Sequence, residues 1–219
     1  MNASQPNSHT AFAGSTLVAR GTLPEVAREV KSLLDGGDQR AVLIFDDQTG
    51  RVVEVDFRGR PDDVLRRLAD REAAVVTPAV GVAQAGDTQV GDTQVGDVVE
   101  TRSAGRPKLG VVSREVTLLP RHWEWLGTQS GGASATIRRL VEQARRANEG
   151  ADRVRSAREV TYRFVHALAG DEAGYEEALR ALFAGQEDRF REQMASWPAD
   201  VREYAIRLAA EAFVSGVDG

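Results

Sequence analysis

The sequence predicts an α+β protein with a small N-terminal β-α-β-β-α domain, a flexible linker, a strand-helix-helix segment and a C-terminal helical bundle. Three observations predict it. Apolar blocks before residue 72 switch between a period of two and a period near 3.6, marking strands and helices in turn. The pentapeptide Gly86-Asp87-Thr88-Gln89-Val90 recurs at Gly91–Val95 and interrupts all periodicity. After residue 150 the apolar residues keep helical spacing between glycine and proline stops. The expected boundaries are a disordered tail over 1–12, the α+β domain over 13–72, an acidic linker and basic arm over 73–110, the strand-helix-helix segment over 111–150 and the helical domain over 151–219.

Within the first domain, Thr16–Arg20 is a short strand candidate. Leu23–Asp35 sets Val26, Val30, Leu33 and Leu34 at helical spacing, and Gly36-Gly37 stops it. Ala41–Asp46 and Arg51–Phe57 read as a hairpin around Gln48-Thr49-Gly50. Its second strand alternates Val53, Val55 and Phe57 with Glu54 and Asp56, so one face is covered. Pro61 opens a helix over Asp62–Glu72 that carries Val64, Leu65 and Leu68. The pair Asp46-Asp47 is accounted for by the turn of the hairpin.

Composition sets the broad class. With 219 residues, 42% hydrophobic and 28% charged, the chain sits within the soluble globular range and folds without cross-links. Cysteine is absent, which excludes disulfides, thiolate metal sites, iron–sulfur clusters and cysteine nucleophiles. A reducing cytoplasm is the expected compartment. Met1 to Thr10 is polar with no leader pattern, and the longest strong apolar run, Ala41–Phe45, falls far short of the roughly 20 residues of a membrane span. No membrane association is expected.

The net charge of −5 is unevenly spread. Residues 73–100 hold four acids (Asp87, Asp92, Asp97, Glu100) and no base, whereas residues 101–158 hold 12 bases against five acids. Of the 28 bases 26 are arginine, whose planar fork suits phosphate better than lysine does. The glycine- and aspartate-rich repeat reads as a linker, because its acids recur every five residues and miss the spacing of a calcium loop.

The basic stretch carries the motif. Ser113–Leu119 is strand-like, and Pro120 starts a helix through Trp123 and Leu126. Gly131-Gly132 makes a turn, and a second helix runs from Ser134 as N-cap to about Asn148. That helix repeats Ile137, Leu140, Val141 and Ala144 on one face. Trp123 and Trp125, two apart on the first helix, cannot share a face, so one is expected in the core and the other at a subunit contact. The strand ending Leu119-Pro120 and the stretch Gly132-Ala133-Ser134-Ala135-Thr136-Ile137-Arg138 resemble the ribbon-helix-helix family of bacterial DNA-binding proteins. The resemblance implies that two chains pair their strands into one antiparallel ribbon in the major groove, with the start of the second helix on phosphate.

On that resemblance the groove-facing residues are Arg114, Val116 and Leu118 if Leu119 packs inward. The opposite register exposes Glu115, Thr117 and Leu119. Backbone phosphates would be met by Arg106 and Lys108 of the basic arm, Arg121, the N-terminal turn at Ser134, and Arg138 and Arg139. Arg102 belongs to the same basic arm.

The C-terminal region predicts four helices, Ser156–Ala169, Glu172–Ala184, Gln186–Ala195 and Ala199–Phe213, broken at Gly170, Gly185 and Pro198. The order of all regions, with Gly105-Arg106-Pro107-Lys108-Leu109-Gly110 and Tyr162-Arg163-Phe164-Val165-His166-Ala167-Leu168-Ala169-Gly170, also looks like a family of uncharacterised bacterial proteins defined only as a domain of unknown function. That likeness brings no activity with it.

Catalytic patterns are missing. His9, His122 and His166 are the only histidines, and none has a partner histidine at helical spacing, so no metal or catalytic residue is assigned. There is no nucleophile elbow and no phosphate-binding glycine loop, and no cofactor is expected. The expected function is that of a homodimeric DNA-binding protein acting as a transcriptional regulator or nucleoid-associated factor, and not of an enzyme. The alternative is a protein-interaction scaffold that uses the same segment only to dimerise.

Overall fold

The computed structural model describes residues 8–76 and 114–214, the side chains of residues 74–76 excepted. The expected linker and basic arm, with Arg106 and Lys108, lie outside the described residues. The architecture is mixed α+β and mostly helical: among the described residues, seven α-helices accompany one three-stranded antiparallel sheet. The strands are β1 (Ser8–Ala13), β2 (Thr16–Thr22) and β3 (Val42–Asp46), in the order β2-β1-β3. The helices are α1 (Leu23–Asp35), α2 (Pro61–Val76), α3 (Pro120–Gly127), α4 (Gly132–Leu168), α5 (Tyr175–Ala184), α6 (Glu187–Gln193) and α7 (Ala199–Leu208), with a 3₁₀ turn at Ala209–Glu211.

The chain forms two compact units, one of Met1–Thr77 with Gln143–Gly219, the other of Pro78–Glu142. In the first, β1 is central and buried on both faces. Thr10 pairs across the ladder with Phe45 and Phe12 with Leu43, so these side chains share one face. Ala11 and Ile44 take the other face, where they pack with Val26 and Val30 of α1. The first face meets the C-terminal helices: Phe12, Phe45, Phe164, Leu182, Phe190, Met194, Trp197 and Tyr204 belong to one buried cluster. Ring centroids lie 5.3 Å apart for Phe12 and Phe164, 5.1 Å for Phe45 and Phe164, and 4.4 Å for Phe164 and Tyr204. Among the described residues, the sheet side chains Phe12 and Phe45 therefore share a core with helices after residue 150, although the sequence patterns read as separate domains.

Several local expectations are corrected. Residues 8–12 belong to β1 and not to a disordered tail, and Thr10 and Phe12 are fully buried. The segment Arg51–Phe57 is not a strand. It bridges β3 only at Phe45–Val52. Beyond that point α2 takes over its carbonyls: Arg71 donates to Glu54 O at 3.1 Å, and Arg67 donates to Asp56 O at 2.7 Å and Arg58 O at 2.5 Å. Backbone acceptors met by guanidinium forks need no ladder. The helices expected over Ser134–Asn148 and Ser156–Ala169 are one continuous α4 of 37 residues. Gly150 lies inside it, at a cost of roughly 1 kcal/mol relative to alanine, and the alanine-, arginine- and glutamate-rich flanks carry the helix through.

One glycine fixes how the β3 turn meets α4. Gly50 has φ +66°, and a Cβ there would lie 2.5 Å from the carbonyl oxygen of Val160. Only glycine allows both the left-handed backbone and that approach.

Candidate functional site

The segment singled out by sequence, described from residue 114, lies in the second unit as far as Glu142 and in the first from Gln143. Residues 114–119 form no helix, strand or turn. Leu119 is the N-cap of α3 with extended dihedrals, and Pro120 follows at N1, where its missing N–H leaves nothing unpaired. Thr128 closes α3, and its N–H donates to Trp125 O at 3.1 Å. Gly131 and Gly132 then turn the chain with φ of +86° and +72°. Ser134 is not the N-cap, since α4 already begins at Gly132. It is an exposed residue of the first turn, and its carbonyl accepts Arg138 Nε at 3.1 Å.

The remaining expected contacts are placed as follows. Arg114, Arg121, Arg138 and Arg139 are exposed. Val116 is 56% exposed and Leu118 half-buried. Trp123 and Trp125 are both exposed, at 45% and 49%, so the expectation of one core tryptophan is corrected; the buried residue of α3 is Leu126. Leu119, Leu140 and Val141 are likewise exposed, at 49%, 41% and 60%, and Thr136 is buried on α4 instead. Of the apolar stripe of this helix, Ile137 is half-buried, while Leu140 and Val141 stand open among the described residues.

A second constellation, which sequence reading missed, is built in the first unit around Asp47. Its neighbour Asp46 does what turn chemistry predicts, its carboxylate accepting the N–H groups of Gln48 at 2.8 Å and Thr49 at 3.1 Å. Asp47 instead points into the protein. Its Oδ1 accepts Thr10 Oγ1 at 2.8 Å and Tyr204 Oη at 2.6 Å, and its Oδ2 accepts Ser8 Oγ at 2.9 Å. Arg20 Nε lies 3.5 Å and Arg207 Nη2 3.8 Å from Oδ2. Burial, and then the bond to the Asp47 carboxylate, push the Tyr204 hydroxyl far above the usual tyrosine range. The Arg207 guanidinium lies 4.3 Å from the centre of the Tyr204 ring.

No spacing rule finds this group, because Asp47 and Tyr204 are 157 positions apart. The one local hint is the arginine three residues after the tyrosine on α7, a spacing that sets them on one helix face. His9, expected in a tail, is a buried β1 residue. Among the described residues no three histidine or acidic side chains are grouped to hold a metal ion. Nor is any described helix long and apolar enough to cross a membrane.

Comparison with known families matches residues 8–209 to a bacterial family described as "Uncharacterized protein conserved in bacteria (DUF2239)". No curated protein matches, and no solved structure matches.

Proposed function

The chain belongs to that DUF2239 family, and from this premise we propose that it is a dimeric DNA-binding protein. On this reading a second copy of the 111–150 segment covers its apolar side chains, and its arginines meet backbone phosphates. The observation that carries it is the co-occurrence of Val116, Leu119, Trp123, Trp125, Leu140 and Val141, all more than 40% exposed, with Arg114, Arg121, Arg138 and Arg139 in one short stretch. Monomeric proteins rarely leave this many large apolar groups in water within one segment, and such patches mark interfaces. Residues 114–119 belong to no ladder among the described residues, so their backbone groups are open to the pairing with a twofold-related strand that a ribbon requires.

Val116 and Leu118 cannot hydrogen-bond base edges, so duplex binding on this reading is dominated by phosphate contacts and depends steeply on salt. The assay pairs light scattering with a salt titration of binding to double-stranded DNA. A dimer is expected for the parent protein, and Trp125→Glu with Val141→Glu should shift it to monomer. Arg138→Ala with Arg139→Ala should weaken binding to all sequences and lower the salt slope by roughly two. A folded monomer at micromolar concentration removes the dimer. A dimer that binds no duplex at low salt leaves the scaffold reading in place of the DNA-binding one.

A further inference from the structure

The Asp47 network forms one wall of a cleft of about 410 Å³ lined by Arg20, Asp47, Arg153, Ser156, Arg207 and Glu211, among others. We propose that this cleft is a binding site for a small phosphorylated molecule, with Arg207 as the central phosphate contact and Arg20 and Arg153 at its sides.

Arg207 carries the argument. Its side chain lines the cleft and is 34% exposed, while its shielded Nη2 makes no hydrogen bond among the described residues. The nearest anion, Asp47 Oδ2, is 3.8 Å away, beyond hydrogen-bond range. Asp47 Oδ1 already accepts two hydroxyl groups, and Oδ2 accepts Ser8 Oγ and has Arg20 closer to it than Arg207, so Arg207 meets this carboxylate by charge and not by a hydrogen bond. A buried guanidinium N–H with no acceptor is costly, so native proteins seldom leave one unless a ligand or water satisfies it. The guanidinium carbon lies over the Tyr204 ring at 4.3 Å from its centre, a contact that restrains the side chain beside the cleft.

The lining fits an anion with several acceptor oxygens. Three guanidinium groups face two carboxylates, and one of those carboxylates, Asp47, is already engaged internally. Arginine forks bind phosphoryl oxygens in pairs, so one phosphate can be met from more than one side. The volume falls within the range of small-molecule sites and exceeds what a bare phosphate ion fills, which leaves room for the group the phosphate is attached to. Ser156 and Gln48 supply neutral hydrogen-bonding groups on the same lining.

The site is independent of the DNA-binding reading, and its test uses neither DNA nor the oligomeric state. Calorimetric titration of the full chain with inorganic phosphate and with ribose 5-phosphate, at constant ionic strength, should show saturable binding, tighter for the sugar phosphate. Arg153→Ala, at an exposed position, should leave the fold intact and weaken binding by about tenfold. Arg207→Lys keeps the charge but loses the fork, and should weaken it at least as much. Absence of saturable binding by either probe at millimolar concentration, or equal affinity in the parent and both variants, would overturn the proposal. Equal affinity for the two probes would overturn the part that assigns room for a phosphate-bearing group.

Discussion

Changing Phe12 and Phe164 to leucine, singly and together, measures how firmly the N-terminal sheet and the C-terminal helices are joined. Both rings are fully buried, and their centroids are 5.3 Å apart in a tilted arrangement. Each also touches Phe45 and Tyr204, so each replacement disturbs a shared aromatic cluster. Leucine keeps the site apolar but loses ring contacts, and about 1–3 kcal/mol is expected for each single change. An aromatic pair is worth about 0.5–1.5 kcal/mol beyond its buried area, so the double variant should be more stable than the sum of the two single losses predicts, by about that amount. Urea unfolding followed by circular dichroism supplies the free energies. Additivity within about 0.3 kcal/mol would refute the pairing. A separate transition that moves only in Phe12→Leu would refute the shared core itself.

Two further outcomes follow from other contacts. Tyr204→Phe removes the donor to Asp47 Oδ1 and should cost about 1.5–3 kcal/mol, the range for hydrogen bonds to charged groups. Because the folded protein holds the Tyr204 hydroxyl above its unfolded value, that contribution is complete below about pH 10 and lost as pH rises further. Spectrophotometric titration of the parent against Tyr204→Phe should find Tyr204 ionising only as the fold is lost, and its ionisation in folded protein would contradict this. Gly50→Ala should destabilise by more than the roughly 1–2 kcal/mol of left-handed backbone strain, because its Cβ also meets the Val160 carbonyl. A loss below that value in thermal unfolding would mean the turn can move away from α4.

The secondary structure was largely legible in the sequence, and the tertiary grouping was not. Helix stops at Gly36-Gly37, Gly185 and Pro198 act locally, and the observed α1, α5 and α7 end or begin beside them. The β-α-β-β-α reading lost the strand Ser8–Ala13 because Ser8, His9 and Thr10 are polar and look like tail residues until their partners are known. Thr10 and Ser8 are ordered by the Asp47 carboxylate, which lies well away in sequence. Arg51–Phe57 alternates like a strand, yet Arg67 and Arg71 bind its carbonyls. In the basic segment the positions of α3 and the glycine turn followed from Pro120 and Gly131-Gly132. The exposure of both tryptophans did not, since a periodic apolar stripe gives the same pattern whether it faces its own chain or another. Apart from its spacing from Tyr204, Arg207 had no local signature, because Arg20, Asp47 and Arg153 come from β2, the turn after β3 and α4.

The strand β1 sits in the middle of the sheet, and one of its faces is completed by α7, which the ribosome makes long after it. Phe12 and Phe45 lack half their neighbours until residues near Tyr204 emerge, so the first unit cannot finish folding during synthesis of its own N-terminal half. Closure must span everything between Thr77 and Gln143. The entropy of closing a loop grows only logarithmically with length, about 0.6 kcal/mol per doubling, so the inserted stretch taxes stability lightly while slowing assembly. Evolution can therefore lengthen or rewrite that insertion with little thermodynamic consequence for the core that carries it.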